Sequence, residues 1–134
     1  MSQLRVPPGA DARPGPLLAP CSIGDLLDRI TILRIKRSRC REDLRSHVER
    51  ELVRLEALWP DEPEMVDLAT VNLALWQVED RLRAFEASGT FEAAFIEDAR
   101  SVYRLNDRRA ALKRAINVRL GSDIVEVKVH PEYR

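Results

Sequence analysis

SIGDLLDRITILRIKRSRCREDLRSHVERELVRLEALWP, residues 22–60, decides the fold. Ser22 followed three positions later by Asp25 has the form of a capping box, with a hydroxyl and a carboxylate satisfying free amides at a helix start. Ile23, Leu27 and Ile30, then Leu44, Val48, Leu52, Leu55 and Trp59, make an apolar stripe at helical spacing. Neither Gly nor Pro interrupts the stretch between Gly24 and Pro60. The pattern therefore predicts one helix ending at Pro60, roughly 55 Å long at about 1.5 Å per residue. A helix of that length fits only an antiparallel hairpin or a coiled-coil-like bundle.

Two further helical blocks follow. The second starts after Asp61, with Pro63 in the first turn and Glu64 as the capping acid, and ends at Ser88-Gly89. Its stripe is Leu68, Val71, Leu75, Val78, Leu82 and Phe85. The third is capped by Thr90 and stops at Gly121, with Phe95, Ala99, Val102, Leu112, Ile116 and Leu120 on its apolar side. Beyond Gly121 the period changes to two: Ile124, Glu126, Lys128 and His130 alternate with Val125, Val127 and Val129, which predicts a strand. The fold class expected is mainly α: three long antiparallel helices with a short C-terminal β-strand. Residues 1–20 hold five of the eight prolines and read as a proline-rich tail or strap. Residues 21–134 read as a single helical domain with its terminal strand.

A lone strand has unpaired edges, so the pattern predicts a protein partner recruited through the C-terminal strand. Ile32 and Ile35 lie off the main stripe and make the first helix apolar on more than one side. That breadth suggests a homodimer, or the terminal strand lying across it.

Composition bounds the function. The 22 basic and 22 acidic residues balance, which argues against a nucleic-acid or anionic-membrane footprint. No apolar run approaches the roughly 20 residues of a membrane span, and no secretory signal is legible, so a cytoplasmic location without membrane insertion is expected. Cys21 and Cys40 form no CxxC pair, and His47 and His130 have no ligand set at metal spacing, so neither metal nor cofactor is expected. No phosphate-cradling glycine motif is present. Only Lys36, Lys113 and Lys128 are lysines; the other cations are arginines, whose planar fork suits fixed ion pairs and oxyanion recognition.

Each helical block interrupts its apolar face with long polar side chains. YRLNDRRAALKRAIN, residues 103–117, places Arg109 and Lys113 near the apolar axis, flanked by Asn106 and Asn117 and, further round, Tyr103. The second block places Glu79 near its stripe with Asn72, Trp76 and Arg83 beyond it, and the first has Arg34, Arg37 and Arg41 between its apolar halves. Two meanings fit. One is a salt-bridge layer, Glu79 against Arg37 or Arg109, in an interaction or scaffold module acting as a homo-oligomer. The alternative is a binding protein or small enzyme for an anionic or sugar-phosphate-like metabolite, because cations outnumber Glu79, the clear acid of the set. Asp28, Asp80, Asp98 and Asp107 read as surface ion-pair partners.

SIGDLLDRITILRIK (22–36), VNLALWQVEDRLR (71–83) and SVYRLNDRRAALKRAINVRLGSDIVEVKVH (101–130) resemble the three blocks of a small bacterial family of uncharacterised proteins, a domain of unknown function. In such sequences the blocks read SIGELLDKITIL, NxxLWxxED and VYxxNDxRAxxKxxIN, followed by a V-E-V-K segment. The positions that match are Asp28, Lys36, Asn72, Trp76, Glu79, Asp80, Asn106, Asp107, Arg109, Lys113, Asn117, Glu126 and Lys128. Asp25 and Arg29 replace a glutamate and a lysine with charge preserved. The resemblance implies a unit of helices with a terminal strand and supplies no reaction.

Overall fold

A computed structural model describes residues 15–133 of the chain. The proline-rich segment read over residues 1–20 falls mostly outside the described residues. The architecture is a bundle of four helices: α1 Ile23–Arg39, α2 Glu42–Glu56, α3 Glu64–Ser88 and α4 Ala93–Leu120.

The expected 55 Å first helix is therefore two helices, α1 of 17 residues and α2 of 15. Cys40 and Arg41 both leave helical geometry, with ψ of 157° and 152°, and α2 folds back against α1. The physical cause is a reversal of charge rather than a breaker residue. Lys36, Arg37 and Arg39 complement the carbonyl end of α1, while Glu42 and Asp43 complement the amide end of α2. That pattern describes one helix ending and another starting.

α1 is the central element and packs against each of the other three helices. Leu26, Leu27, Ile30 and Leu33 of α1 form the core with Leu52 of α2, Met65 and Leu68 of α3, and Ile116 of α4. This position accounts for the breadth of its apolar surface. Ile32 and Ile35 are half-buried and line a cleft towards α3.

α3 and α4 form an antiparallel hairpin. Gly89 ends α3 in the left-handed conformation at φ 67°, and Gly121 ends α4 in the same way at φ 65°. Edge-to-face contacts of Phe95 with Phe85 and Phe91 close the tip, and Arg81 pairs with Asp98 nearby. At the other end Arg119 pairs with Glu62 and Glu64. Thr90 is not the cap of α4, since Glu92 holds the N-cap position, and Pro63 rather than an acid holds that of α3.

No β-strand is present among the described residues, which corrects the expected terminal strand and the protein partner that was to pair with it. The alternation is nevertheless that of extended chain. Residues 125–133 run back along α4, fixed by Glu126–Lys113, Lys128–Asp107 and an edge-to-face contact of Tyr133 with Tyr103. The polar side of the alternation is the one tied down, and Val125, Val127 and Val129 face outwards. Side-chain ion pairs, not a backbone ladder, hold the segment, so it forms no sheet edge on which a partner strand was to be built.

Candidate functional site

The junction of α1 and α4 begins at the α1 N-terminus. Three of its free amides are satisfied by side chains. The Asp25 N–H donates to Ser22 Oγ at 2.9 Å, the Gly24 N–H to Asn117 Oδ1 at 2.7 Å, and the Ile23 N–H to Ser122 Oγ at 3.1 Å. Gly24 permits the approach: a Cβ there would lie 2.6 Å from the Lys113 carbonyl oxygen.

One turn further along α1, Asp28 is buried and accepts the guanidinium of Arg109 side-on. Arg109 Nε donates to Oδ1 at 2.9 Å, while Nη2 donates to Oδ2. Asn72 of α3 donates through Nδ2 to Asp28 Oδ1 at 2.8 Å and to Thr31 Oγ1 at 2.9 Å. Thr31 in turn donates to the Asp28 carbonyl at 2.7 Å. The hydrogen bond to Asp28 holds the Arg109 pKa above its already high ordinary value. Lys113 is buried between Asp25 at 2.7 Å and Glu126 at 2.9 Å. Burial works against its ammonium, but the two carboxylates outweigh that and raise its pKa above 10.5.

Apart from Asn117 Nδ2, which is buried without a partner among the described residues, the inner edge of this polar layer closes on itself, and its outer edge does not. A cleft of about 360 Å³ opens between α1, α3 and α4, lined by Ile32, Ile35 and Leu75 on its apolar side and by Trp76, Glu79 and Asp80 among its polar groups. Asn72, Arg83, Asn106 and Arg109 complete the wall. Among the described residues, Glu79, Asp80 and Arg83 enter no ion pair and the Trp76 indole N–H has no acceptor, whereas that of Trp59 donates to Glu62. Arg109 keeps a second pair of N–H donors, on Nη1 and Nη2, beyond those spent on Asp28.

Of the expected cluster, Asn72, Trp76, Glu79, Arg83, Asn106 and Arg109 come together in this cleft. Lys113, Asn106 and Arg109 line a second one beneath the C-terminal segment, and Tyr103 lines a third with Asn106. Asn117 is buried and serves the α1 N-terminus. Arg37 and Arg41 stand apart. They are exposed at the end of α1 and at the break, where Arg41 pairs with Asp43 at 3.1 Å. Glu79 is not the partner of Arg109; Asp28 is.

Asp28, read as a surface residue, is therefore the acid of the layer, and Thr31, Asp25 and Glu126 are its other missed members. A signal for it exists. Gly24, Asp28 and Thr31 recur at spacings of four and three, a second helical stripe of small and polar residues that faces α3 and α4. Among the described residues, no group of three or more His, Cys, Asp or Glu is placed to hold a metal.

An all-helical bundle with a self-closed charged layer and an open polar cleft is the class this geometry defines. The chain belongs to the family of unknown function DUF6165, whose model matches residues 19–132. No curated protein and no solved structure gives a match. Among the described residues, no helix is long and apolar enough to cross a membrane.

Proposed function

We propose that the chain binds a small hydroxylated, sugar-like metabolite in the cleft between α1, α3 and α4. The observation that carries this reading is the concentration of unspent polar groups beside one indole in an open cleft: Glu79, Asp80, Arg83, Asn106 and the Trp76 N–H. Neighbouring hydroxyls both donate and accept, so they are matched by carboxylates and amides set beside guanidinium groups. The face of an indole and the side chains of Ile32, Ile35 and Leu75 suit the C–H face of a ring. Arg109 is balanced by Asp28, which leaves Glu79 and Asp80 beside Arg83, so the cleft has no cationic surplus and suits hydroxyls rather than an anion.

The reading stops at binding. Catalysis needs charged groups fixed in advance of the reaction, and Glu79 and Asp80 are exposed without a positioning partner among the described residues. The test is fluorescence and NMR titration of the Trp59→Phe variant, in which Trp76 is the sole indole, against glucose, glucose 6-phosphate and glucuronate. Saturable binding that falls roughly ten-fold in Glu79→Gln and in Asn106→Ala is expected. Absence of binding across the set, or binding indifferent to both substitutions, would sink the proposal.

A further inference from the structure

The second cleft, about 340 Å³, lies between α4 and the C-terminal segment and shares Asn106 and Arg109 with the first. Its charge is different. Arg109, Lys113 and Lys128 line it, with His130 in the wall, against Glu126 as the one lining carboxylate. Asp28 and Asp107, the acids that fix Arg109 and Lys128, are not part of its lining, whereas Lys113 is buried between Asp25 and the lining Glu126. A ligand in this trough therefore meets the outer faces of Arg109 and Lys128. Each is already oriented by a carboxylate behind it, so little side-chain freedom is lost when an oxyanion arrives. The fork that Arg109 keeps beyond Asp28 is suited to two oxygens of one anion.

We infer that this trough is an anion subsite, built by Arg109 and Lys128 and walled by His130, for a phosphate or carboxylate group. It deepens the sugar-like reading: a ligand whose ring occupies the first cleft would pass its charged substituent across Asn106 and Arg109 into the second. The inference rests on that reading for the ring, and not for the subsite itself. It also gives the alternating C-terminal segment a role. The ion pair of Lys128 with Asp107 and that of Glu126 with Lys113 hold the segment as a wall, which carries Lys128 and His130 to the site.

The experiment is a ¹H–¹⁵N titration of the full chain at low salt with inorganic phosphate, glucose, glucose 6-phosphate and glucuronate. The amides of residues 126–130 report the trough, and the Trp76 indole reports the first cleft. Inorganic phosphate should move the trough signals alone, glucose the indole alone, and glucose 6-phosphate or glucuronate both; which of the two binds tighter separates phosphate from carboxylate. Lys128→Gln should weaken phosphate binding roughly ten-fold and leave the glucose response unchanged, while Lys128→Arg retains both. If no anion at millimolar concentration moves residues 126–130 while glucose still moves the indole, the subsite is overturned and the sugar-like reading stands. If phosphate moves the trough and no sugar moves the indole, the subsite stands without it. Equal phosphate affinity in wild type and Lys128→Gln also overturns the subsite.

Discussion

Replacing Gly24 with alanine tests the α1–α4 junction on which the whole site is built. The backbone of Gly24 is ordinary helix, so nothing in its φ requires glycine. Space requires it: an added Cβ would sit 2.6 Å from the Lys113 carbonyl oxygen, 2.9 Å from Asn117 Oδ1 and 3.1 Å from the Lys113 carbonyl carbon. Two of those atoms are backbone and cannot swing away. Ordinary contact begins near 3.4 Å, so α1 would have to retreat from α4 by about 0.8 Å. That movement would stretch the 2.7 Å bond from the Gly24 N–H to Asn117 and pull on the Asp25–Lys113 and Asp28–Arg109 pairs. Overpacking costs about 1–3 kcal/mol. A weakened buried hydrogen bond adds about 1 kcal/mol. The better helix propensity of alanine returns less than about 1 kcal/mol. The net expectation is destabilisation by about 1–3 kcal/mol, or roughly 5–10 °C in melting temperature. Urea denaturation followed by far-ultraviolet circular dichroism reads it directly, with Gly15→Ala as the control because nothing lies within 4 Å of that site. A Gly24→Ala protein within about 0.5 kcal/mol of wild type would refute the close packing of α1 on α4.

The helix break predicts that Arg41→Pro is tolerated to within about 1 kcal/mol, because Cys40 and Arg41 already hold proline-compatible backbone. In a continuous helix the same change would cost about 3 kcal/mol or more, so chemical denaturation separates the two architectures. Asp28→Asn should cost about 2–3 kcal/mol in the same assay, since it strips the counter-charge from Arg109; the low end of the usual range applies because Arg109 keeps 29% of its side chain exposed. Lys113 has its folded pKa raised, so its contribution is complete below pH 10.5 and is lost as pH climbs through the raised value. Thermal melts of Lys113→Met should therefore decline less steeply than wild type above pH 10.5, and parallel slopes would contradict the assignment. Glu62 and Glu64 have pKa values lowered first by hydrogen bonding to Arg119, so their stabilising effect is present above pH 4.5 and fades as pH falls through the lowered values. Arg119→Gln should flatten that acid limb of the stability profile.

What was legible in the sequence follows from which forces act locally. The ends of α3 and α4 were readable because Gly89 and Gly121 are demanded by positive φ, a property of one residue. Ser22 was readable as the α1 cap for the same reason. The break at Cys40 was missed because it is written in charge order and not in Gly or Pro, and each half of RIKRSRCRED taken alone is compatible with helix. Asp28 was missed because burial of a carboxylate depends on a cation 81 residues away. Inward-facing arginines were easy to find by angle, yet Arg37 is exposed and Arg41 lies at the helix break, where the assumed periodicity no longer holds. The alternation after Gly121 correctly signals extended chain, but strand formation needs a paired edge, and α4 offers side chains instead.

In the proposed reading, a structural layer and a ligand site would use opposite edges of the same groups. Arg109 spends its Nε edge on Asp28 and retains its other fork; Asn72 spends its amide nitrogen on Asp28 and Thr31 and still lines the cleft. Burial makes the inner edge obligatory, because an unpaired charge at Asp28 or Lys113 would cost several kcal/mol. The same pairing fixes the outer edge in space, at no further entropic cost to a ligand. In the proposed binding reading, stability and recognition would be coupled through single side chains, so substitutions at Arg109 or Asn72 would confound the two. The groups that enter the cleft without serving the layer, Trp76, Glu79, Asp80 and Arg83, are where binding can be altered while the fold is left intact.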